Sequence, residues 1–143
     1  MKIFSLFLGL VCSQFSFAYP SLGDAVQFQK LDGSIFEMKN MGLDSVNQVW
    51  LVQVTDGLQV NTEKWTVSDM PSKKEVLSVL KNCIQYSGLK EQITVPAGTF
   101  DTCKFANELG GFTWIGDVPF SMVKVVTSDL TLELLNVKFP IKL

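Results

Sequence analysis

The stretch ITVPAGTFDTCKF, residues 93–105, decides how the second half of this chain folds. Its apolar residues follow a β-strand pattern that Pro96 interrupts, because proline lacks the amide hydrogen that a central strand donates. Gly98 tolerates the positive φ that a tight reversal requires. We therefore predict two strands joined by a tight Pro-Ala-Gly turn, with Cys103 on the second strand.

The N-terminus has the pattern of a secretory signal peptide. Lys2 supplies a positive charge, residues 3–11 form a run that is apolar except for Ser5, and Ser16 and Ala18 are the small residues that a signal peptidase reads. The pattern predicts cleavage between Ala18 and Tyr19, and export to the periplasm or the extracellular medium.

This interpretation divides the chain into a signal peptide, residues 1–18, and a single β-rich domain, residues 19–143. Two alternatives remain open. A retained membrane anchor would need about 20 apolar residues, and the run here is shorter. Lipidation at Cys12 would need a small residue before the cysteine, where this chain has Val11.

The composition excludes several kinds of active site. The chain has no His and no Arg, and its 12 basic residues, all Lys, stand against 14 acidic residues. Without imidazole there is no His general base and no His-ligated metal, and without guanidinium there is no bidentate clamp for phosphate. The net charge of −2 provides no basic face for nucleic acid. We expect no enzyme activity, metal, cofactor, nucleic-acid partner or stable membrane span after processing.

One helix is predicted at about residues 72–87. Ser72 can cap its first turn, and Glu75 completes a capping box three residues later. Gly88 then stands where the left-handed residue after a helix is usually found.

The two cysteines that remain after signal removal, Cys83 and Cys103, are predicted to form a disulfide that ties the helix to the sheet. Helical spacing places Cys83 on one face with Val76, Leu80 and Ile84, pointing toward the protein interior. The alternative is a reactive thiol. The cysteines are far apart in sequence, and the chain has no imidazole or guanidinium to lower a thiol pKa.

The rest of the chain alternates with period two. In residues 24–30, for example, Val26 and Phe28 alternate with polar residues, as in a half-buried strand. Nine candidate strands with short links predict a mainly β fold with one helix, in which a curved antiparallel sheet, a half-barrel or a barrel, packs on the helix. The phase of the apolar residues shifts near Lys64, which predicts a bulge or a twist there.

Two hairpin motifs carry a resemblance to a known group. VPAGTF at residues 95–100 and WIGDVPF at residues 114–120, followed by Val123-Lys124, resemble uncharacterised exported bacterial proteins with V-P-A-G-T-F and W-x-G-x-V-P-F-G-x-V-K hairpins. Ser121 stands where that pattern has Gly. The resemblance covers residues 82–137. The pattern is similar to that of sequences grouped with lipoprotein-carrier-like (LolA/LolB-like) folds.

The resemblance implies a curved antiparallel sheet wrapped over a helix, with a hollow that holds acyl chains. It carries over no catalytic residue. On this basis we expect an exported, non-enzymatic binding protein that holds an apolar ligand or an acyl chain in the concave face of the sheet. The alternative is an envelope structural or protein-interaction module with a filled core and no ligand.

Aromatic residues are the candidate ligand contacts. Trp50, Trp114 and Phe120 are predicted to bind the ligand, and Trp114 and Phe120 flank a turn expected at the rim of the sheet. The competing interpretation is that these side chains fill the core, as they do in most small barrels.

The sequence supports a catalytic role for polar residues less than a ligand-binding role for the aromatic ones. Asp101, Asp117 and Glu133 would need a defined pairwise separation for acid–base chemistry, and isolated surface carboxylates are the simpler interpretation. Ser121 and Lys124 would form a Ser-Lys pair, but alternation predicts that Ser121 faces solvent.

Overall fold

The fold is described from a computed structural model, which covers residues 18–140. The signal peptide and the lipidation alternative at Cys12 therefore lie almost entirely outside the described residues. One helix, α1 (Lys73–Lys81), and a short 3-10 turn accompany nine strands. The strands are β1 Ala25–Lys30, β2 Ile35–Asp44, β3 Val49–Asp56, β4 Gln59–Thr66, β5 Leu89–Val95, β6 Gly98–Ala106, β7 Phe112–Ile115, β8 Met122–Val126 and β9 Thr131–Lys138.

All nine strands belong to one antiparallel sheet in the order β4-β3-β2-β1-β9-β8-β7-β6-β5. The pairing of β1 with β9 joins the two halves of the chain. Within the described residues the sheet does not close, so β4 and β5 are its edges. The predicted fold class, a curved antiparallel sheet packed on one helix, is confirmed in its open form.

The Pro-Ala-Gly break is a tight hairpin between β5 and β6. Val95 pairs with Gly98, and Gly98 has a φ of 140°, so the glycine is required there. The amide of Ala97 donates to the carbonyl of Leu134, 2.9 Å away in β9. The turn therefore bends the β5 end of the sheet back over the sheet itself.

The helix starts as predicted and ends earlier. The amide of Glu75 donates to the Ser72 hydroxyl at 3.1 Å, and the Glu75 carboxylate accepts from the Ser72 amide at 3.2 Å, which completes the capping box. α1 stops at Lys81 with Asn82 as its C-cap, so the prediction of a helix to residue 87 is wrong.

The early end has a structural cause. Cys83 is bonded to Cys103 in β6, and the chain must then turn to enter β5 at Leu89. Ile84 consequently lies outside the helix with its side chain 74% exposed, so its predicted place on the buried face is also wrong. Gly88 is not the helix-ending residue. It packs against the disulfide.

The bulge predicted near Lys64 is wrong as well. β3 and β4 pair in one unbroken register from Val49↔Thr66 to Asp56↔Gln59. The apolar phase shifts because Val60 lies on the opposite face of the sheet from Trp65 and is exposed. Register shifts occur instead between β1 and β9, between β2 and β3, and between β7 and β8.

The core lies between the sheet and the helix. We call the sheet face that carries Phe28 and Leu134 the core face and the opposite one the outer face. α1 lays Val76 and Val79 on the core face near β6. The largest fully buried side chains come from both halves of the chain: Phe28, Phe120, Met38, Ile115, Met122, Leu132 and Leu134.

Candidate functional site

The disulfide fixes where the helix covers the sheet. Cys83 and Cys103 are both fully buried, with their Cα atoms 5.7 Å apart. Because Cys103 pairs with Ile115 across β6 and β7, the bridge lies on the core face at the β5–β7 end of the sheet. The helix is held there, and the core face of β2–β4 lies at the other end.

A cleft of about 230 Å³ opens on the core face of β2–β4. We call it the core-face cleft. Its apolar lining consists of Phe36, Met38, Val54, Trp65 and Met122, and its polar lining consists of Asp56, Gln59, Asn61 and Glu63.

The strand registers explain why these residues meet. Met38 of β2 faces Val54 of β3, and Val54 faces Asn61 of β4, so the three side chains share one face. β2 and β3 bring apolar residues to this face, whereas β4 brings polar ones at every second position until Trp65. The cleft therefore has an apolar floor and a polar wall along the β4 edge.

The polar wall is internally paired. The Lys30 ammonium lies 2.6 Å from the Asp56 carboxylate at one end of the cleft. At the other end the Trp65 indole Nε1 donates to the Glu63 carboxylate at 3.0 Å. These contacts hold Asp56 and Glu63 as acceptors beside the apolar floor.

The predicted ligand residues occupy three different settings. Phe120 is fully buried and meets Trp65 edge-on, with ring centroids 5.8 Å apart, so it backs the wall of the cleft. Trp50 is half-buried, packs against the core and faces Trp65 across β3 and β4. Trp114 pairs with Lys124 on the outer face and does not meet the other two.

Trp114 belongs instead to a stack on the outer face. Its indole Nε1 donates to the Glu91 carboxylate at 2.9 Å, and the ammonium groups of Lys104 and Lys124 lie 5.0 and 5.4 Å from its rings. The exposed Phe112 ring meets it at 6.2 Å. Trp114 is only 8% exposed although it points away from the core, because the lysine stems cover it.

A second cleft, of about 350 Å³, lies where α1 meets the β5 edge. Sequence patterns did not single it out, because its walls come from three consecutive elements, α1, β5 and β6, whose packing no local pattern reveals. It is lined by Leu80, Lys90, Glu91, Gln92, Asp101 and Thr102.

The candidate carboxylates have separate partners. Asp101 accepts from the Gln92 amide at 3.2 Å, Asp117 lies 3.6 Å from the Lys73 ammonium, and Glu133 lies 3.7 Å from the Lys124 ammonium. Each is engaged on a different element, and the structure does not bring them into one cleft.

Ser121 does not face solvent, and that prediction is wrong. It is fully buried with a φ of 59°, and its hydroxyl has no hydrogen-bond partner among the residues that the structure describes. Lys124 points to the outer face, where it pairs with Glu133. The Ser-Lys geometry needed for an activated nucleophile is not formed.

The predicted processing site is anchored to the fold. The Tyr19 amide donates to the carbonyl of Pro71 at 2.8 Å, and the Tyr19 carbonyl accepts from the Phe120 amide at 3.0 Å. Burial, and then the negative charge and hydrogen bond of Asp117, raise the pKa of the Tyr19 phenol well above its usual range. The Lys73 ammonium lies 5.0 Å from the same ring.

Comparison with known proteins identifies no relative. No family model matches the chain, and no curated protein and no solved structure matches it. Within residues 18–140 no helix is long and apolar enough to cross a membrane. The same residues contain no group of three or more His, Cys, Asp or Glu side chains arranged to hold a metal ion.

Proposed function

We propose that this chain is an exported, non-enzymatic binding protein that holds a small apolar ligand, or the end of an acyl chain, in the core-face cleft. One observation carries the proposal. The floor of Phe36, Met38 and Val54 lines a cleft to which α1 contributes no residue. Phe36 and Met38 are buried and Val54 is half-buried, so a ligand that fills the cleft covers the remaining apolar surface and gains dispersion contacts with this floor.

The size of the cleft suits a fragment rather than a whole lipid. Its volume of about 230 Å³ exceeds the roughly 150 Å³ of an apolar cavity that binds benzene. It is smaller than the roughly 300–1,000 Å³ of a site that encloses a drug-sized molecule. A ring or a short alkyl segment is expected inside, with the rest of the ligand outside.

The polar wall selects the head group. Asp56 and Glu63 present carboxylates beside the floor, with Asn61 between them. A ligand that carries hydroxyl, amide or amine donors finds acceptors here, whereas a free fatty-acid carboxylate meets like charge. We expect neutral or cationic amphiphiles to bind better than anionic ones.

Export is supported by the cysteine pair. The Cys83–Cys103 disulfide suggests a location outside the cytoplasm, because cytoplasmic thiols are kept reduced. The signal-peptide pattern of residues 1–18 points the same way. A periplasmic or extracellular binding protein fits both observations.

Native mass spectrometry and a lipophilic fluorescent probe test the function. We expect the exported protein to retain a small apolar molecule, or to bind the probe in a saturable way. Val54→Trp fills the cleft and should abolish probe binding, whereas Thr55→Trp, one residue along β3 on the outer face, should preserve it. Equal binding by the two variants, or no binding by the unmodified protein, contradicts the proposal.

The alternative function, an interaction module, draws on different features. Edge strand β4 is exposed along most of its length, and the Trp114 stack covers part of the outer face. If Val54→Trp leaves a cellular function intact while changes on the outer face remove it, the interaction module is the better description.

A further inference from the structure

β4 is a long edge strand that, within the described residues, has few of the usual protections against pairing. It has eight residues, no proline, and a register with β3 that is free of bulges. Natural edge strands are normally shortened, bulged, covered, interrupted by proline or charged. Of these protections β4 has only the charges of Glu63 and Lys64, which lie on opposite faces. The other edge, β5, ends at Pro96, and the Ala97 amide of its turn is bonded to β9. A long, regular edge whose charges can be accommodated by a suitable register is a template for another strand.

The hairpin geometry defines which groups of β4 face outward. Gly57 and Leu58 form a two-residue loop, so Asp56 and Gln59 close the hairpin as a hydrogen-bonded pair. Hydrogen bonding then alternates along an antiparallel ladder. The amides and carbonyls of Val60, Thr62 and Lys64 therefore point away from β3, toward the open edge.

We propose that β4 pairs antiparallel with β4 of a second copy of this chain, about a two-fold axis at Thr62. A two-fold axis perpendicular to the sheet puts the same face of both copies on the same side, so one residue of β4 must lie opposite its own copy at the axis. Two choices of this central residue, Thr62 and Glu63, pair nearly the whole of Gln59–Thr66.

Charge distinguishes these two registers. Centring on Glu63 places this carboxylate opposite its own copy, which is destabilising. Centring on Thr62 places the two threonines opposite each other, Asn61 opposite the partner's Glu63, and Val60 opposite the partner's Lys64. No like charges then meet, and the Asn61 amide can donate to a carboxylate across the interface.

The pairing would extend the ligand site. Gln59, Asn61, Glu63 and Trp65 line the core-face cleft from β4, and the partner's Trp65 would lie opposite Gln59. The clefts of the two copies would then adjoin across the axis, giving a site long enough for a longer alkyl chain. This consequence rests on the proposed function, whereas the strand pairing itself does not.

Cross-linking at the axis tests the pairing. Thr62→Cys, in full-length protein carrying Cys12→Ser, places two thiols opposite each other, and Cα atoms about 5.5 Å apart in a hydrogen-bonded pair allow a disulfide. We expect dimers on mild oxidation, and none from Thr66→Cys, which faces the partner's Leu58. Three outcomes would each overturn the proposal. They are a chain that light scattering finds monomeric at high concentration, a chain that forms open-ended filaments, and equal cross-linking at positions 62 and 66.

A charge pair at Val60 tests the register. Val60→Lys places a second ammonium opposite the partner's Lys64, twice in each dimer, and should weaken dimerisation roughly 10-fold. Val60→Glu makes two opposite-charge pairs and should strengthen dimerisation by a similar factor. If both variants change dimerisation alike, the Thr62-centred register is wrong. Probe binding to Val60→Lys, measured at a concentration where light scattering finds it monomeric, tests the ligand proposal separately from the pairing, because Val60 lies on the outer face and does not line the cleft.

Discussion

Gly88 lies directly against the sulfur of Cys103, so that a Cβ atom at position 88 would overlap this sulfur and come within 2.9 Å of the Cys83 sulfur. The glycine has no positive φ to explain its presence. It is needed because the disulfide occupies the space of a side chain. The chain from α1 to β5 therefore passes closer to the bridge than any other residue type allows.

Gly88→Ala should destabilise the protein by about 1–3 kcal/mol, the usual cost of overpacking a core. Urea unfolding at neutral pH measures the change. In a Cys83→Ala, Cys103→Ala background both sulfurs are absent, and most of the cost should disappear. An undiminished cost in that background would mean that the sulfurs are not what excludes the side chain.

Removing the disulfide should cost about 3 kcal/mol, because the bridge closes a loop of 20 residues in the unfolded chain. Denaturant unfolding of the Cys83→Ala, Cys103→Ala variant measures this loss. Addition of a reductant should lower the midpoint of the unmodified protein and leave that of the variant unchanged. A reductant effect of equal size on both proteins would contradict the assignment.

Ser121→Gly should stabilise the protein by about 1–2 kcal/mol. Two costs disappear, the left-handed backbone at φ 59° and the buried hydroxyl without a partner among the described residues. The extra freedom of glycine in the unfolded chain offsets part of the gain. Ser121→Ala removes the hydroxyl alone and should give an intermediate stability, so thermal unfolding of the three proteins tests the order.

Tyr19 should make the folded protein less stable at high pH. Its pKa in the folded state is raised above the ordinary value near 10, first by burial and then by Asp117. The folded state therefore keeps its proton where the unfolded state loses it. The contribution of Tyr19 to the free energy of unfolding is complete below about pH 10 and falls as the pH rises above that value.

Comparing Tyr19→Phe with the unmodified protein isolates this titration from that of the lysines. The difference in unfolding free energy between them should depend on pH only above about pH 10. Asp117→Asn removes the charge but keeps the burial, so it should lower the phenol pKa without returning it to the ordinary range. The chain has a second tyrosine, Tyr86, so the spectroscopic titration is made on a Tyr86→Phe variant. A tyrosinate titration of that variant centred near pH 10 would contradict the burial of the Tyr19 phenol.

Local patterns predicted most of the fold correctly. The Pro96 break, the Ser72–Glu75 capping box and the antiparallel strands all depend on neighbours in sequence, and all are found. The cysteine pairing followed from there being only Cys83 and Cys103 in the predicted mature chain. The bulge predicted near Lys64 is not found, because Val60 is apolar yet exposed on the outer face and does not belong to the core pattern.

The candidate site was less predictable. Residue type alone points to Trp50, Trp114 and Phe120. The structure places Trp114 on the outer face and Phe120 behind the cleft against Trp65. Trp50 lies opposite Trp65 on the core face. Met38 and Val54 line the cleft, but alternation alone does not reveal which residue of a neighbouring strand lies opposite. The second cleft depends on where the helix lies over β5 and β6.

By itself the sequence determined the strands, their tight turns, the start of the helix and the two half-cystines, because backbone preferences and alternation act over a few residues. Tertiary structure alone decided that the helix ends at Lys81, that Ser121 is buried, and that β2–β4 keep an open core face. These outcomes depend on strand register and on one covalent bond between distant residues, and such contacts leave no periodic signal in the chain.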